Sequence, residues 1–496
     1  MPEEVPVAAP VGAPAESELL AVRRSKLDAL KARGVDPWGG PFETTHRPAE
    51  LRAAFAENLP VRVLGRITAR RDMGKTQFFD VSDLGGRIQC FLNAKNLANP
   101  DEFSVFVECL DIGDWVGVEG ETFITRTGEP SIKVTALKVL GKSLRPMPDK
   151  WHGLTDTEQK YRQRYLDLIA NERSREIFVA RSMMVAEIRS FLHGRGFMEV
   201  ETPMLQTVAG GAAARPFQTH HNALNMPLFM RIAPELYLKR LLVGGYPRVF
   251  ELNRNFRNEG ISRRHNPEFT MLELYEAGGS FETMADLIEG LICHLAEKFC
   301  GGLLLEHKNA AGEVTRSIDL ARPWKRASYR DLIRSLDAEW FERTPEGRKT
   351  KARELGVEIS EAMEDYEVTQ QMFEKKIEEK TFDPLFVTHV PKELVPLARQ
   401  NPDDPSVVDV YELVINGQEI SPGYSELNDP IVQRERLEHQ VGEETQNLDE
   451  DFLTALEYGM PSAGGLGCGI DRLLMMLTGA ESIRDVILFP HMRHRE

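Results

Sequence analysis

Two stretches of this chain gather charged side chains at spacings that suit phosphate and metal chemistry. The first is Arg248 to Ala277, RVFELNRNFRNEGISRRHNPEFTMLELYEA. Its opening alternates, with Phe250, Leu252 and Phe256 on one side and Glu251, Asn253, Asn255 and Arg257 on the other, which predicts a β-strand. From Glu268 a second run puts Thr270, Leu272 and Leu274 on one face and Phe269, Met271, Glu273 and Tyr275 on the other. Paired antiparallel, the two strands have an apolar face and an open face carrying Arg, Phe, Glu and Tyr. The loop Asn258 to Pro267 adds Glu259 and three donors suited to a polyphosphate, Arg263, Arg264 and His265. An ordinary amphipathic hairpin with a salt-bridged exposed face would show the same pattern.

The second stretch is VVDVYELVINGQEISPGYSELNDP, residues 407–430. Asn416-Gly417 between apolar runs predicts a two-residue type I′ hairpin. In that register Ile415 faces Gln418, Val414 faces Glu419 and Glu412 faces Ser421. Glu412 and Glu419 then share a face as diagonal neighbours, with Cα atoms roughly 7–8 Å apart. Two such carboxylates repel unless a cation lies between them, and Mg²⁺ with a nucleotide phosphate is a common solution. A pair of exposed acids on an edge is the plain alternative. Farther on, PSAGGLGCGIDRLLMMLTG is a glycine-rich strand running into an apolar helix. It lacks the Gly-x-Gly-x-x-Gly spacing and βαβ surroundings of a dinucleotide turn. Gly465, Gly467 and Gly469 instead leave one strand face bare, so that something flat can lie against it.

The elements around these stretches divide the chain. Residues 1–16, rich in Pro, Ala and Glu, read as a disordered tail without the basic and apolar regions of a signal peptide. Residues 17–56 are a helical region in which Ser17 to Arg33 carries a basic face of Arg23, Arg24, Lys26, Lys31 and Arg33. That face suits RNA phosphates or, more plainly, solvent. Residues 57–145 hold five short β-rich runs separated by turn signals, which predict a small Greek-key barrel of the oligonucleotide-binding (OB-fold) kind. On such a barrel Phe78 can stack on a base, Gln89 and Glu129 can read base edges and Arg71 can supply charge, although Phe78 also suits a core. Residues 146–172 read as a hinge and residues 173–496 as a larger α+β domain. Within it, SEAMEDYEVTQQMFEKKIEEK reads as a solvated surface insertion.

The chain has 496 residues, with acidic residues outnumbering basic ones 77 to 61 for a net charge of −16. That sum argues against nucleic-acid binding, although a local basic face can hide in it. No run approaches the ~20 apolar residues of a membrane span, so no membrane partner is expected and the cytoplasm is the natural compartment. Cys90, Cys109, Cys293, Cys300 and Cys468 form no Cys-x-x-Cys pair and read as reduced, buried thiols.

FRNEGISRRHNPEFTMLELY resembles the second signature motif of class II aminoacyl-tRNA synthetases, in the form carried by bacterial lysyl-tRNA synthetases. RGFMEVETPML, from Arg195, resembles the first motif, and GLGCGIDR, from Gly465, the third. The resemblance covers nearly the whole chain from about residue 20. It implies an OB-fold anticodon-binding barrel and a catalytic domain with a mostly antiparallel sheet flanked by helices. It implies ligation of L-lysine to tRNA(Lys) with ATP and Mg²⁺, in a homodimer joined through the first motif. By this likeness Arg257, His265 and Arg472 carry catalysis. Arg257 bridges the lysine carboxylate and α-phosphate, and His265 and Arg472 hold the outer phosphates. Glu259 contacts adenine, which stacks between Phe269 and Arg472. Glu235 and Glu273 meet the α-ammonium of lysine, and Glu426 and Tyr275 its ε-ammonium. Glu412 and Glu419 hold magnesium. Arg71, Phe78, Gln89 and Glu129 meet the anticodon. One departure stands out. Lysyl enzymes often have a small residue and Asn where this chain has Ser421 and Pro422, and Pro has no N–H to donate.

The same likeness admits an aspartyl- or asparaginyl-type enzyme, but that would need a cationic amino-acid pocket. A lysine ligase acting on proteins would lack the barrel. A non-catalytic RNA-binding paralogue should have lost Arg257, Glu412, Glu419 or Arg472, and all four are present.

Overall fold

The alternating runs near the N-terminus curl into a closed barrel. In this computed structural model, which describes residues 18–147, 154, 156–212, 214–309, 311–438 and 448–493, the chain forms two units, Met1–Thr155 and Asp156–Glu496. The tail expected over residues 1–16 lies outside the described residues.

In the first unit the strands are Pro60–Asp72, Thr76–Ser82, Arg87–Asn93, Trp115–Ile124 and Pro130–Gly141. They close in the order first, second, third, fifth, fourth. All pairs are antiparallel except the third with the fifth. Inward side chains such as Val61, Val63, Phe79, Val81, Ile88 and Cys90 fill the interior. A helix that the sequence pattern did not announce, Asp101–Cys109, joins this core through Val105 and Phe106. The helix Glu18–Ala32 ends where expected, at Gly34, whose φ of 74° lets Val35 N–H reach back to the Leu30 carbonyl at 3.0 Å. Its basic face is only partly available to RNA. Arg23 donates to the Ser143 and Ile112 carbonyls, Lys26 pairs with Asp111 at 2.5 Å and Arg33 pairs with Glu108.

The second unit is built on an eight-stranded sheet. From one edge its strands are Lys325–Ser328, Leu385–Thr388, Val410–Ile415, Gln418–Ser425, Ala463–Gly469, Glu268–Ala277, Arg248–Phe256 and Met198–Glu199. Only the two outermost pairs are parallel. Alternation sorts the side chains as a pleated strand must. Phe250, Leu252, Leu272, Leu274, Leu413, Ile420, Leu466 and Cys468 face one layer. There they pack against the helices Glu172–His193, Phe281–Phe299 and Ile470–Thr478, through Ile188, Ile288, Leu291 and Leu473. The opposite face carries the polar set. It is not open to solvent as the sequence suggested: Glu251, Asn255, Glu273 and Tyr275 are all buried, partly beneath the helix Glu235–Val243.

Two further expectations change. Most of the stretch read as a hinge belongs to the second unit: Tyr161 donates to Asp485 at 3.0 Å, and buried Arg164 donates to the Leu488 and Ile487 carbonyls. The supposed surface insertion also contributes to the core, because Val368, Met372 and Phe373 of helix Asp365–Lys376 are fully buried. Its charges occupy the outer face while one apolar stripe turns inward. The cysteines are free, and all but Cys300 are buried. Among the described residues no helix is long and apolar enough to cross a membrane.

Candidate active site: a cavity over the glycine strand

The polar face of the sheet opens into a cavity of about 360 Å³. Most of the residues singled out in the sequence line it: Glu235, Arg257, Glu259, His265, Phe269, Glu273, Tyr275, Glu419, Glu426 and Arg472. Glu412 is not among the lining residues; it sits on the same sheet face, behind Glu419.

The local reason for this convergence is a β-bulge. Val414 faces Glu419 and Ile415 faces Gln418 as the Asn-Gly turn requires, but the register then slips, so that Leu413 faces Ser421 and Glu412 faces Pro422. The expected Glu412–Ser421 pairing is therefore incorrect. One extra residue reverses the side-chain parity beyond it. Pro422 and Tyr424 thereby join Glu419 on the cavity face, while Ser421 turns away and donates to the Gly467 carbonyl at 2.6 Å. Without the bulge, Glu419 and Tyr424 would point to opposite faces.

The glycine strand makes the floor. Gly465, Gly467 and Gly469 pair with Tyr275, Glu273 and Met271 in turn. A Cβ at Gly465 would meet the Tyr275 ring at 2.5 Å, and one at Gly467 would meet the Met271 methyl at 2.6 Å. The bare face therefore admits side chains of the neighbouring strands and leaves room for a ligand above them.

At one end of the cavity the charges are positive. Arg257 lies with its guanidinium carbon 5.2 Å from the Phe269 ring centroid, and its buried Nε has no hydrogen-bond partner in the chain. Arg472 donates to the Glu419 carbonyl at 3.1 Å and lies 3.0 Å from His265 Nε2. Ser262 Oγ sits 2.9 Å from the other ring nitrogen. Loss of water around the ring, then Arg472, Arg257 and Arg264, hold the His265 pKa below its ordinary value. A neutral imidazole beside guanidinium groups suits an anion with several oxygens. Arg264 has a different task, donating to the Gly417 carbonyl at 2.8 Å and fastening this loop to the acidic hairpin turn.

At the other end the charges are negative. Glu235, Glu273 and Glu426 are all buried. Burial and then Glu235 push the Glu273 carboxyl up to about 8. Burial pushes Glu426 up to about 7 against the pull of Lys239. Tyr275 donates a long hydrogen bond to Glu273 at 3.4 Å. Glu426 Oε1 has no hydrogen-bond partner in the chain. Buried acids crowded together with an unpartnered oxygen fit a ligand bearing ammonium groups.

A further acidic group lies behind Glu419. Burial, then Glu419, Glu378 and Glu374, raise Glu412 to about 8. Glu378 is likewise raised to about 7 by burial and Glu419, and it accepts a hydrogen bond from the Glu419 backbone N–H at 3.0 Å. Mutually repelling carboxylates are suited to a hard divalent cation. No group of three or more ligating side chains is gathered among the described residues, as expected where one or two carboxylates share a magnesium ion with substrate phosphates.

On the barrel, Arg71 faces Phe78, Phe78 faces Phe91 and Gln89 faces Ser131. Strand alternation therefore sets Arg71, Phe78 and Gln89 on one face, with Gln89 buried and Glu129 in the turn just before the fifth strand. Phe78 is half-buried, 5.3 Å from the Phe91 ring, and its neighbour Phe79 takes the core position. Arg71 donates to Gln89 at 2.7 Å, and Glu129 pairs with Arg52 at 2.9 Å.

Sequence reasoning passed over Lys239 and Glu378. Lys239 is four residues after Glu235 on an amphipathic helix, a spacing that ordinarily reads as a surface ion pair. Glu378 lies in a run of charges. The burial of Lys239 and the half-burial of Glu378 were the missing signal.

Two family models match the chain. One described as tRNA synthetases class II (D, K and N) matches residues 156–493, and an OB-fold nucleic acid binding domain matches residues 61–140. The chain is similar to the lysine–tRNA ligase of Carboxydothermus hydrogenoformans, with 49% identity over 97% of this chain and 99% of the relative. It is similar at 46% identity to the lysine–tRNA ligase of Bacillus subtilis, over 97% and 98% of the two chains.

Proposed function

This chain belongs to the class II tRNA synthetases of the D, K and N group, among relatives that are lysine–tRNA ligases, and from that premise we propose that it joins L-lysine to tRNA(Lys) with ATP. The observation that carries this reading is the division of one cavity into an arginine end and a glutamate end, the latter lined by Glu235, Glu273 and Glu426.

Lysine carboxylate attacks the α-phosphate of ATP, giving lysyl-adenylate and pyrophosphate. The 3′-terminal ribose hydroxyl of tRNA then takes the lysyl group and releases AMP. The first step needs no general base, because the nucleophile is already ionised. What it needs is alignment and neutralisation of charge on the α-phosphate. Arg257, whose Nε is free, bridges the carboxylate and the α-phosphate. Arg472 and His265 hold the outer phosphates, with phosphate replacing their contact with one another. The adenine lies against Phe269, with Glu259 at its edge. At the opposite end Glu426 and Tyr275 take the ε-ammonium, and Glu235 and Glu273 the α-ammonium. Pro422 lines the cavity without a donor, so the lysine carboxylate is left to Arg257.

Glu412 and Glu419 would hold magnesium, which supplies neutralisation of the phosphate charge when bound. Burial raises Glu412 first, and the repulsion from Glu419 that adds to it fits such an ion. The barrel face of Arg71, Phe78, Gln89 and Glu129 is suited to the anticodon, by stacking on Phe78 and by edge contacts to Gln89 and Glu129. The short edge strand Met198–Glu199 would join two copies into a homodimer, as the first-motif likeness implies. Amino-acid-dependent ATP–pyrophosphate exchange tests the assignment: exchange with lysine well above that with aspartate and asparagine supports it, and aspartate in the lead overturns it.

A further inference from the structure

The glutamate end of the cavity contains a cation of its own. Lys239 is completely buried, and its Nζ lies 2.7 Å from Glu235 Oε1 and 2.6 Å from Glu426 Oε2. An ammonium group buried in this way costs several kcal/mol of hydration unless fully paired. It is therefore not a passive filler. Its contact occupies one oxygen of Glu426 and leaves Oε1 unpartnered. The same contact fixes the carboxylate plane, with the bare backbone of Gly465 beside it.

The charges around it add to a simple balance. Glu235 and Glu426 in their ionised forms bring two negative charges and Lys239 one positive charge, and Glu273, pushed up to about 8, adds a further negative charge only as the pH rises through that value. Free lysine brings an α-ammonium and an ε-ammonium, and its carboxylate belongs to Arg257 at the other end. Without Lys239, two neighbouring buried carboxylates would face each other unpaired, and one would take up a proton. A protonated Glu426 has no charge to offer an ε-ammonium.

We propose that Lys239 is a positioning residue that determines specificity: its ammonium pairs with Glu235 and Glu426, holds both carboxylates in place and keeps Glu426 charged to receive an ammonium group of the amino acid. The groups facing Glu426 are Glu235 and Lys239 from the helix, Tyr275 from the central hairpin and Tyr424 from the acidic hairpin. Both tyrosines are held far above their usual pKa by burial and by these same acids, so they stay neutral throughout the range of interest. Lys239 is the cation within contact distance that lowers the Glu426 carboxyl.

The inference rests on the lysine reading above, and the experiment separates the two. The full-length protein and its Lys239→Gln and Lys239→Arg variants are compared by lysine-dependent ATP–pyrophosphate exchange from pH 6 to pH 9, with folding followed by circular dichroism. Glu426 sits at about 7 with Lys239 beside it. Removing the cation moves it upward, and at pH 7 the first unit of movement lowers the ionised fraction about fivefold. In Lys239→Gln the KM for lysine should rise at least about fivefold at pH 7 and return toward the wild-type value by pH 9. The KM for ATP and kcat at saturating lysine should change little. Lys239→Arg, which keeps the charge, should keep the wild-type pH profile. A KM for lysine raised equally at every pH, or not raised at all, would show a packing role and overturn the proposal. If Lys239→Gln does not fold, Lys239→Arg decides: an unmoved profile supports the role and a displaced one overturns it. A wild type inactive with lysine sinks the parent reading, whereas an active wild type with an unshifted Lys239→Gln profile sinks only the role given to Lys239.

Discussion

Replacing Glu426 with Gln removes a charge from a fully buried carboxylate while keeping its shape. Its side chain is 0% exposed and its Oε2 lies 2.6 Å from Lys239 Nζ, so solvent screening offers little relief. Removing one member of a buried ion pair typically costs about 3–5 kcal/mol. At about 1.4 kcal/mol per factor of ten, that corresponds to roughly 150- to 5,000-fold in lysine affinity. Gln still offers Oε1 as an acceptor to the substrate ammonium, and a retained hydrogen bond is worth about 1 kcal/mol. The expected loss thus falls to about 2–4 kcal/mol, roughly 30- to 1,000-fold. Lys239 keeps Glu235 at 2.7 Å, so the helix it anchors should stay folded. The assay is ATP–pyrophosphate exchange at pH 8 with lysine varied, above the value of about 7 to which burial pushes the wild-type carboxyl. ATP affinity is measured separately and should be unchanged, because Arg257, His265 and Arg472 lie at the other end of the cavity. A folded Glu426→Gln protein with an unaltered KM for lysine would refute the reasoning, because no buried ammonium could then depend on this oxygen pair.

Three other perturbations probe the remaining parts. Glu419→Gln should leave the fold intact but strongly depress lysine-dependent exchange at ordinary magnesium, with partial recovery as magnesium is raised; full activity would remove this carboxylate from metal binding. Phe78→Ala should leave pyrophosphate exchange untouched while aminoacylation weakens by about 1–3 kcal/mol, the worth of one base stack; equal loss in both assays would return Phe78 to a structural role. Gly465→Ala places a methyl against the Tyr275 ring at 2.5 Å and against Glu426, whereas Gly467→Ala meets the flexible end of Met271 at 2.6 Å. Lysine KM should therefore suffer far more from the first substitution than from the second, and equal effects would count against the shaped floor.

Much of this architecture is legible in the sequence because period-two alternation carries it. The five barrel strands, the faces of the Arg248–Ala277 hairpin and the bare face of Gly465, Gly467 and Gly469 are all one-dimensional patterns. The bulge beyond Val414 is not, since Ile420-Ser421 looks like any other strand pair. The slip that brings Tyr424 to the cavity depends on how the hairpin fits its neighbours. Lys239 and Glu378 were missed for a related reason. Charge in a helix reads as solvent-facing until the packing of other segments buries it, and local spacing holds no trace of that burial. Part of the stretch expected as a hinge, 146–172, was hard to read for the same reason: Arg164 looked like one more exposed charge, yet carbonyls from Arg484, Ile487 and Leu488 surround it. The roles of Arg257, His265 and the acidic pair come from family likeness, because nothing in local spacing assigns them.

The most direct measurement is ATP–pyrophosphate exchange by the wild-type protein with each of lysine, aspartate and asparagine in turn, at fixed magnesium and ATP. The account predicts exchange that depends on lysine and is weak or absent with the other two, because the acids Glu235, Glu273 and Glu426 line the amino-acid end of the cavity and suit ammonium groups. Exchange led by aspartate, or none with lysine, would contradict it.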